Sequence, residues 1–138
     1  MEAPASAGAS PAARLAELAR AADLCFRPWR HALRFAANAQ ATEPTGDEHL
    51  EDCRLLIEAR DDQGVRQPGA DLELEIFRSG NNLHLMLSRV ADAAAPLLWH
   101  GSHSVWMRAD TGERCACPAD GRALEAFCRR VRALLADW

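Results

Sequence analysis

The sequence predicts an α+β fold, in which an antiparallel β-meander of four to six strands packs under N-terminal and C-terminal helices as a two-layer sandwich. Three observations predict it. Apolar residues recur at helical spacing near both ends of the chain, they alternate with polar residues through the middle, and turn-forming residues separate the alternating stretches. A chain of 138 residues has room for one domain. We place this single domain at residues 11–138, after a disordered tail of small residues at 1–10.

The N-terminal helix is predicted to begin at Pro11 with Ser10 as its cap, because proline suits the first helical position and serine suits the cap. The apolar stripe of this helix is Leu15, Leu18, Ala22, Cys25 and Phe26. Pro28 interrupts the pattern and is expected to start a second helix. One side of that second helix would carry Trp29, Leu33 and Ala36. The polar stretch 40–49 then predicts a loop.

From residue 52 onwards the apolar period changes to two, which indicates strands. One face of the predicted sheet is aliphatic and is expected to lie under the helices: Leu55, Ile57, Leu72, Leu74, Ile76, Leu83, Leu85 and Leu87. The sequence at 79–82 predicts a tight turn, and Gly101 with Ser102 predicts a two-residue hairpin loop. A short strand through residues 115–117 is expected to follow.

The last helix has the clearest pattern, and Asp120 is its expected cap. Its apolar stripe is Leu124, Phe127, Cys128, Val131, Leu134, Leu135 and Trp138. Arg129, Arg130 and Arg132 fall outside the stripe. They form either a solvated face or a contact for an acidic partner.

Composition excludes several kinds of chemistry. All 16 basic residues are arginine and the chain has no tyrosine, which excludes a Schiff-base lysine, a phosphate-loop lysine and a tyrosine nucleophile. The net charge is −4, and the acidic segment 47–76 disfavours nucleic-acid binding. An odd number of cysteines, with neither a secretory signal nor a membrane-spanning run, indicates the reducing cytoplasm and no membrane association. We therefore expect a cytoplasmic protein.

Histidines and cysteines near the Gly101 turn are a candidate metal site. In a two-residue loop His100 pairs with His103, which would place both imidazoles on one face for zinc or copper. Cys115 and Cys117 could approach on a returning strand. The alternative is a turn with two solvated histidines and two half-buried thiols. Because the sequence has no nucleophile elbow and no glycine-rich phosphate loop, we expect neither an enzyme nor a bound cofactor.

The second face of the sheet is a candidate partner-binding surface. Period two places apolar and aromatic residues there, away from the helices, and the hairpin with a two-residue loop adds two tryptophans. The candidate residues are Leu56, Phe77, His84, Met86, Trp99 and Trp106. An exposed apolar face rimmed by charge is typical of a protein-binding surface, and it could also serve a homodimer. The alternative is that residues 1–40 cover this face as a second core layer.

Several stretches of the chain resemble a small family of cyanobacterial α+β proteins without catalytic assignment. They are residues 77–87 (FRSGNNLHLML), 98–101 (LWHG), 105–107 (VWM), 111–112 (TG), 124–125 (LE) and 129–130 (RR), and the resemblance covers about residues 72–135. One member type of similar size is an assembly chaperone for carboxysome shell proteins. The resemblance implies a non-enzymatic helper that binds a tail or an edge of another protein, and it carries over no ligand or catalytic residue.

The leading hypothesis from the sequence is therefore a protein-binding module, an adaptor or assembly chaperone that holds a segment of a partner protein. The alternative is a metal-binding protein that uses the histidine and cysteine hairpin.

Overall fold

The computed structural model describes residues 10–36 and 52–136, and it contains two helices and one six-stranded antiparallel sheet. The helices are α1 (Pro11–Cys25) and α2 (Gly121–Leu134). The strands are β1 (Arg30–Phe35), β2 (Cys53–Arg60), β3 (Leu72–Ser79), β4 (Asn82–Arg89), β5 (Leu97–His100) and β6 (Ser104–Met107). Neighbouring strands pair in chain order, so the sheet is a meander. The predicted α+β fold class is confirmed.

Three sequence predictions concern residues outside the described part of the chain. They are the disordered tail at 1–10, of which only Ser10 is described, the loop at 40–49, and Trp138 at the end of the last apolar stripe.

The prediction of a second helix after Pro28 is wrong, because this segment forms strand β1. Leu33 lies opposite Ile57 and Phe35 lies opposite Leu55 across the β1–β2 pair. Six residues are too few to separate a period of 3.6 from a period of two, and pairing with β2 decides the conformation. Within residues 10–36, one helix, not two, therefore precedes the sheet.

Helix α1 begins as predicted. The Ser10 hydroxyl oxygen accepts a hydrogen bond from the Ala13 backbone N–H at 3.1 Å, which satisfies one of the free donors at the helix start. The helix buries Leu18, Ala21 and Ala22 in the main core.

Both helices pack on the same face of the sheet, which we call the inner face. Residues of α1 and α2 join the aliphatic side chains of β2 to β5 in one buried cluster. Phe127 of α2 lies at its centre without solvent exposure, and its ring centroid is 5.3 Å from that of Phe26. The sequence left open that residues 1–40 cover the other face of the sheet. Helix α1 does not do so, because it lies on the inner face.

Helix α2 begins directly after Asp120, as predicted, but this residue does not cap the helix with its side chain. The Asp120 carboxylate instead forms an ion pair with Arg89 on β4. Gly121 is buried against β6, where an added Cβ would lie 2.9 Å from Cζ2 of Trp106. Glycine at the first position of α2 therefore allows the helix backbone to lie directly against the Trp106 ring.

The turns of the meander agree only in part with the predictions. Ser79 pairs with Asn82 and Gly80 has a φ of +64°, which confirms the tight turn between β3 and β4. The expected strand through residues 115–117 is absent from the described structure. Arg114 forms only an isolated bridge with Met107.

A buried carboxylate fixes the loop between β2 and β3. Asp71 is only 5% exposed and accepts hydrogen bonds from the Ala59 backbone N–H at 2.8 Å and from both terminal nitrogens of Arg66 at 3.0 and 2.8 Å. Burial alone would raise the pKa of Asp71, but the bonds from Arg66 and Ala59 outweigh burial and lower it. Asp71 is therefore ionised at neutral pH and anchors the loop.

We expect Phe127→Ala to lower the free energy of unfolding by about 3–5 kcal/mol, because it empties the centre of the core. Urea unfolding of the purified variant measures this loss. Leu24→Ala is the control, since Leu24 on α1 is 49% exposed and its truncation should change little. A loss below about 1 kcal/mol for Phe127→Ala would mean that α2 does not dock on the inner face.

The Asp71 carboxylate should make stability depend on acid pH. Because its pKa is lower in the folded state, its contribution is complete above about pH 4 and is lost as the pH falls through the folded value. Asp71→Asn should therefore destabilise the protein at pH 7 and flatten the decline in stability below about pH 4 in urea unfolding. Asp62→Asn, an exposed residue of the same loop, should leave the pH profile unchanged. Parallel profiles for Asp71→Asn and the parent would contradict the assignment.

Candidate functional site

The face of the sheet opposite the helices, the outer face, is divided into two halves. On β1 to β3 it carries mainly charged residues, and on β4 to β6 mainly apolar ones. The apolar half, together with Phe77 at the end of β3, forms the apolar patch: Phe77, Met86, Leu97, Trp99, Val105 and Met107. All six are half-buried, and none belongs to the main core cluster.

Three rings organise one end of the apolar patch. Phe77 and His84 lie opposite each other on β3 and β4, and their rings stack with centroids 5.3 Å apart. Trp99 of β5 meets Phe77 edge-on at 5.4 Å and His84 at 5.6 Å. These distances are typical of favourable aromatic pairs, so the three side chains hold one another in place.

Ion pairs neutralise the charged half of the outer face. Arg54 on β2 lies 2.9 Å from a carboxylate oxygen of Glu73 and 2.8 Å from one of Glu75. Arg34 of β1 pairs with Glu58 at 3.1 Å. Exposed pairs of this kind contribute little to stability. They leave a surface of alternating charges beside the apolar patch.

Leu56 does not join the apolar patch. It lies on the outer face of β2, between Arg34 on one side and Glu73 on the other. The structure therefore brings together Phe77, His84, Met86 and Trp99 among the predicted partner-binding residues, and separates Leu56 from them.

The prediction for Trp106 is wrong, because the β5–β6 hairpin has a three-residue loop. His100 pairs with Ser104, and Trp106 pairs with Leu98 instead of facing the same side as Trp99. A shift of one residue moves every side chain of a strand to the other face. Trp106 is therefore buried on the inner face, and its indole N–H donates to Glu125 of α2 at 2.8 Å.

The same shift places Val105 and Met107 on the outer face. Neither residue was predicted there, because a two-residue loop would place both on the inner face with Trp106 outside. Leu97 was also left out of the predicted partner-binding residues. The signal was present in the sequence, since Leu97 and Trp99 have the same parity on β5.

The register also separates the two histidines of the candidate metal site. His100 is buried on the inner face, whereas His103 lies exposed in the loop. Burial, followed by the nearby guanidinium groups of Arg132 and Arg129, lowers the pKa of His100. The prediction that His100 and His103 face a common ligand is therefore wrong.

The cysteines of that candidate site add no ligand set. Cys115 is half-buried and Cys117 is exposed, with its thiol 3.4 Å from the Pro118 carbonyl oxygen. Among the described residues, no group of three or more potential ligands is placed to hold a metal ion.

Buried thiols elsewhere in the chain are poor nucleophiles. Burial raises the pKa of Cys53 to about 12 and that of Cys128 to about 12, and it also raises the pKa of Cys25. Because the thiolate is the reactive form, these side chains are inert near neutral pH. They act as small apolar residues in the core and at its edge.

The register of the β5–β6 hairpin predicts that replacing Trp106 by alanine lowers the free energy of unfolding more than replacing Trp99 does. Trp106→Ala should lower the free energy of unfolding by about 3–5 kcal/mol, because it removes a buried ring and leaves Glu125 without its donor. Trp99→Ala, the matched control on the outer face, should cost less than half as much in urea unfolding. Equal costs would favour the two-residue loop and contradict the register described above.

Comparisons with known proteins show only which family the chain belongs to. No curated protein and no solved structure gives a significant match to the chain. Among the described residues, no helix is long and apolar enough to cross a membrane. One family model, described as a domain of unknown function, matches residues 15–134. This range includes α2 and every strand of the sheet, so the chain belongs to the DUF8659 family.

Proposed function

We propose that this protein is a non-enzymatic protein-binding module, an adaptor or assembly chaperone that holds a segment of a partner protein on the outer face of its sheet. The observation that carries the proposal is the apolar patch, which lies on the face opposite both helices. Aromatic residues and methionine are enriched where proteins bind one another, and they make up four of the six residues of this patch.

The patch combines fixed and adaptable side chains. Phe77 and Trp99 are held by their contacts with His84 and offer rigid aromatic surface. Met86 and Met107 have flexible thioether side chains, which adapt to partners of different shape. This combination suits a segment with two or three apolar side chains on one side.

The charged half of the outer face supports orientation of the partner. The carboxylates of Glu58, Glu73 and Glu75 already pair with arginines of the same face, so a partner gains little affinity from them. They can still oppose an incorrectly placed charge, because complementary charges at the rim of an interface mainly provide specificity. We infer that the bound segment lies across β3 to β6 with its polar side towards β1 and β2.

An assembly chaperone is the form of this function that agrees with the resemblance of residues 72–135 to cyanobacterial proteins. Such a protein would act in the cytoplasm, without a cofactor, and would bind a tail or edge of its client. A homodimer formed through the same patch is the variant in which the partner is a second copy.

The decisive experiment compares partner binding by variants of the apolar patch with binding by a control variant outside the patch that is equally stable. Met86→Ser, alone and with Phe77→Ala, should leave the fold nearly as stable as the parent while weakening partner binding by about 1–3 kcal/mol. Val65→Ser is the control, since Val65 is 56% exposed but lies in the β2–β3 loop. Proteins captured by the parent and the control but not by the patch variants are purified, and their affinities are measured by calorimetry.

Sedimentation of the parent and the patch variants separates the two kinds of partner. A parent dimer that Met86→Ser dissociates would assign the patch to self-association. Partner affinities that are unchanged by both variants would contradict the proposal, and Leu85→Ala on the inner face should unfold the domain and serve as the negative control.

A further inference from the structure

A polar cleft of about 390 Å³ lies at the end of the sheet where the β3–β4 turn and the β5–β6 loop meet the end of α2. Its polar lining consists of Arg78, Asn81, Asn82, His84, Ser102 and Arg132. None of the described residues that line it is acidic. The volume lies within the range of small-molecule sites in proteins.

Arg132 brings a fixed positive charge to this cleft. One of its terminal nitrogens, Nη2, donates to the carbonyl oxygens of Leu83 and His100, both at 2.8 Å, and its Nε lies 3.4 Å from Nδ1 of His100. These bonds hold the guanidinium between β4, β5 and α2. The other terminal nitrogen, Nη1, makes no hydrogen bond to a described residue, and no described carboxylate forms an ion pair with Arg132.

This arrangement is unusual for a half-buried cation. A guanidinium that is partly removed from water is normally matched by a carboxylate, because neutral carbonyls cannot cancel its charge. Burial lowers the pKa of Arg132 for the same reason, although the group stays protonated. The end of α2 contributes only partial negative charge from its free carbonyls. A positive potential therefore extends into the cleft from Arg132.

The opposite end of the sheet provides the comparison. There the half-buried Arg66 meets both oxygens of Asp71 at 3.0 and 2.8 Å, so its charge is cancelled within the loop. Arg132 is held as firmly as Arg66 but by neutral acceptors alone. This fold can therefore hold a guanidinium in place with a carboxylate that cancels its charge, and Arg132 lacks such a carboxylate among the described residues.

A second polar group in the cleft wall is also incompletely paired. Nδ1 of His84 is buried without a hydrogen-bond partner among the described residues. Gly101 lies directly beside it, and an added Cβ at this position would be 3.2 Å from that nitrogen. The absence of a side chain at Gly101 keeps the cleft open between the two hairpin ends.

We propose that this cleft binds an oxyanion, a carboxylate or phosphate group, through the guanidinium group of Arg132 and the side-chain amides of Asn81 and Asn82. Arg132 suits this role because Nη1 carries two N–H groups that bond to no described residue, and each can donate a charge-assisted hydrogen bond to an oxyanion oxygen. The inference does not depend on partner binding at the apolar patch. The two surfaces nevertheless adjoin, since His84 belongs to the wall of the cleft and to the ring cluster.

NMR titration of the full chain tests the proposal with sodium acetate and sodium phosphate as probes. Sodium chloride at equal ionic strength is the reference. We expect saturable shifts of the backbone amides of Asn82, His84 and Ser102 with at least one probe. Arg132→Gln should weaken binding about tenfold or more, whereas Arg122→Gln, an exposed position on the same helix, should change it less than about twofold.

Ser102→Glu is a second variant that tests the cleft without removing the bonds of Arg132 to β4 and β5. Ser102 is exposed and makes none of the bonds that hold Arg132, so a carboxylate introduced there should occupy the cleft and abolish probe binding in a folded protein. Shifts no larger than those with chloride, or shifts that persist unchanged in both Arg132→Gln and Ser102→Glu, would overturn the proposal.

N-Acetylphenylalanine distinguishes the two sources of the oxyanion. If the carboxylate belongs to a protein segment that also contacts the ring cluster, this probe should bind more tightly than acetate, and Trp99→Ala should remove the difference. If the site serves a free phosphate-bearing molecule, phosphate should bind most tightly and the aromatic ring should add nothing. Either pattern supports an oxyanion site. The first indicates a carboxylate of a protein segment as the ligand, and the second indicates a free phosphate-bearing molecule.

Discussion

The architecture depends on the burial of one continuous aliphatic face. The inner side chains of β2 to β5 form a surface that no single helix of 15 residues can cover, so both α1 and α2 must lie on it. Phe127 fills the space between the two helices and the sheet, where it also meets Phe26. Because both described helices are used on this side, the outer face of the same sheet receives no helix from the described part of the chain.

The composition of the outer face follows from this constraint. Its charged half can face water, because ion pairs such as those of Arg54 satisfy its carboxylates. Its apolar half has no comparable solution within the described chain, apart from the contacts among Phe77, His84 and Trp99. Rings that only contact one another bury less surface than rings covered by a second layer. The cost of leaving this area partly exposed is the physical reason to assign it a partner.

Much of the fold could be predicted from periodicity, and the errors arose where periodicity is weakest. The strands β2, β3 and β4 alternate over eight residues each, so their inner and outer faces were identified correctly. Strand β1 has six residues beside a proline, which fit a helix as well as a strand. Only its long-range pairing with β2 distinguishes the two, and a single sequence does not contain that information.

The β5–β6 hairpin shows how a single residue affects the candidate site. A loop of two residues at Gly101 and Ser102 would have placed Trp106 beside Trp99 and His103 beside His100. The observed loop includes His103, which moves Trp106 into the core and removes the geometric basis of the metal site. Packing decides between the two loops, since Trp106 fits against Gly121 and donates to Glu125 only on the inner face. The residues that define the register are therefore on α2, outside the hairpin itself.

The C-terminal end of α2 connects the core to the polar cleft. Arg132 is on the helix that buries Phe127 and Val131, and its hydrogen bonds to the Leu83 and His100 carbonyls join that helix to two strands. A side chain used only to join them would not need a charge, because a neutral donor satisfies a carbonyl oxygen. Glutamine could donate to the same oxygens without the cost of partly burying a cation. The guanidinium at this position is explained when the anion that balances it comes from a ligand.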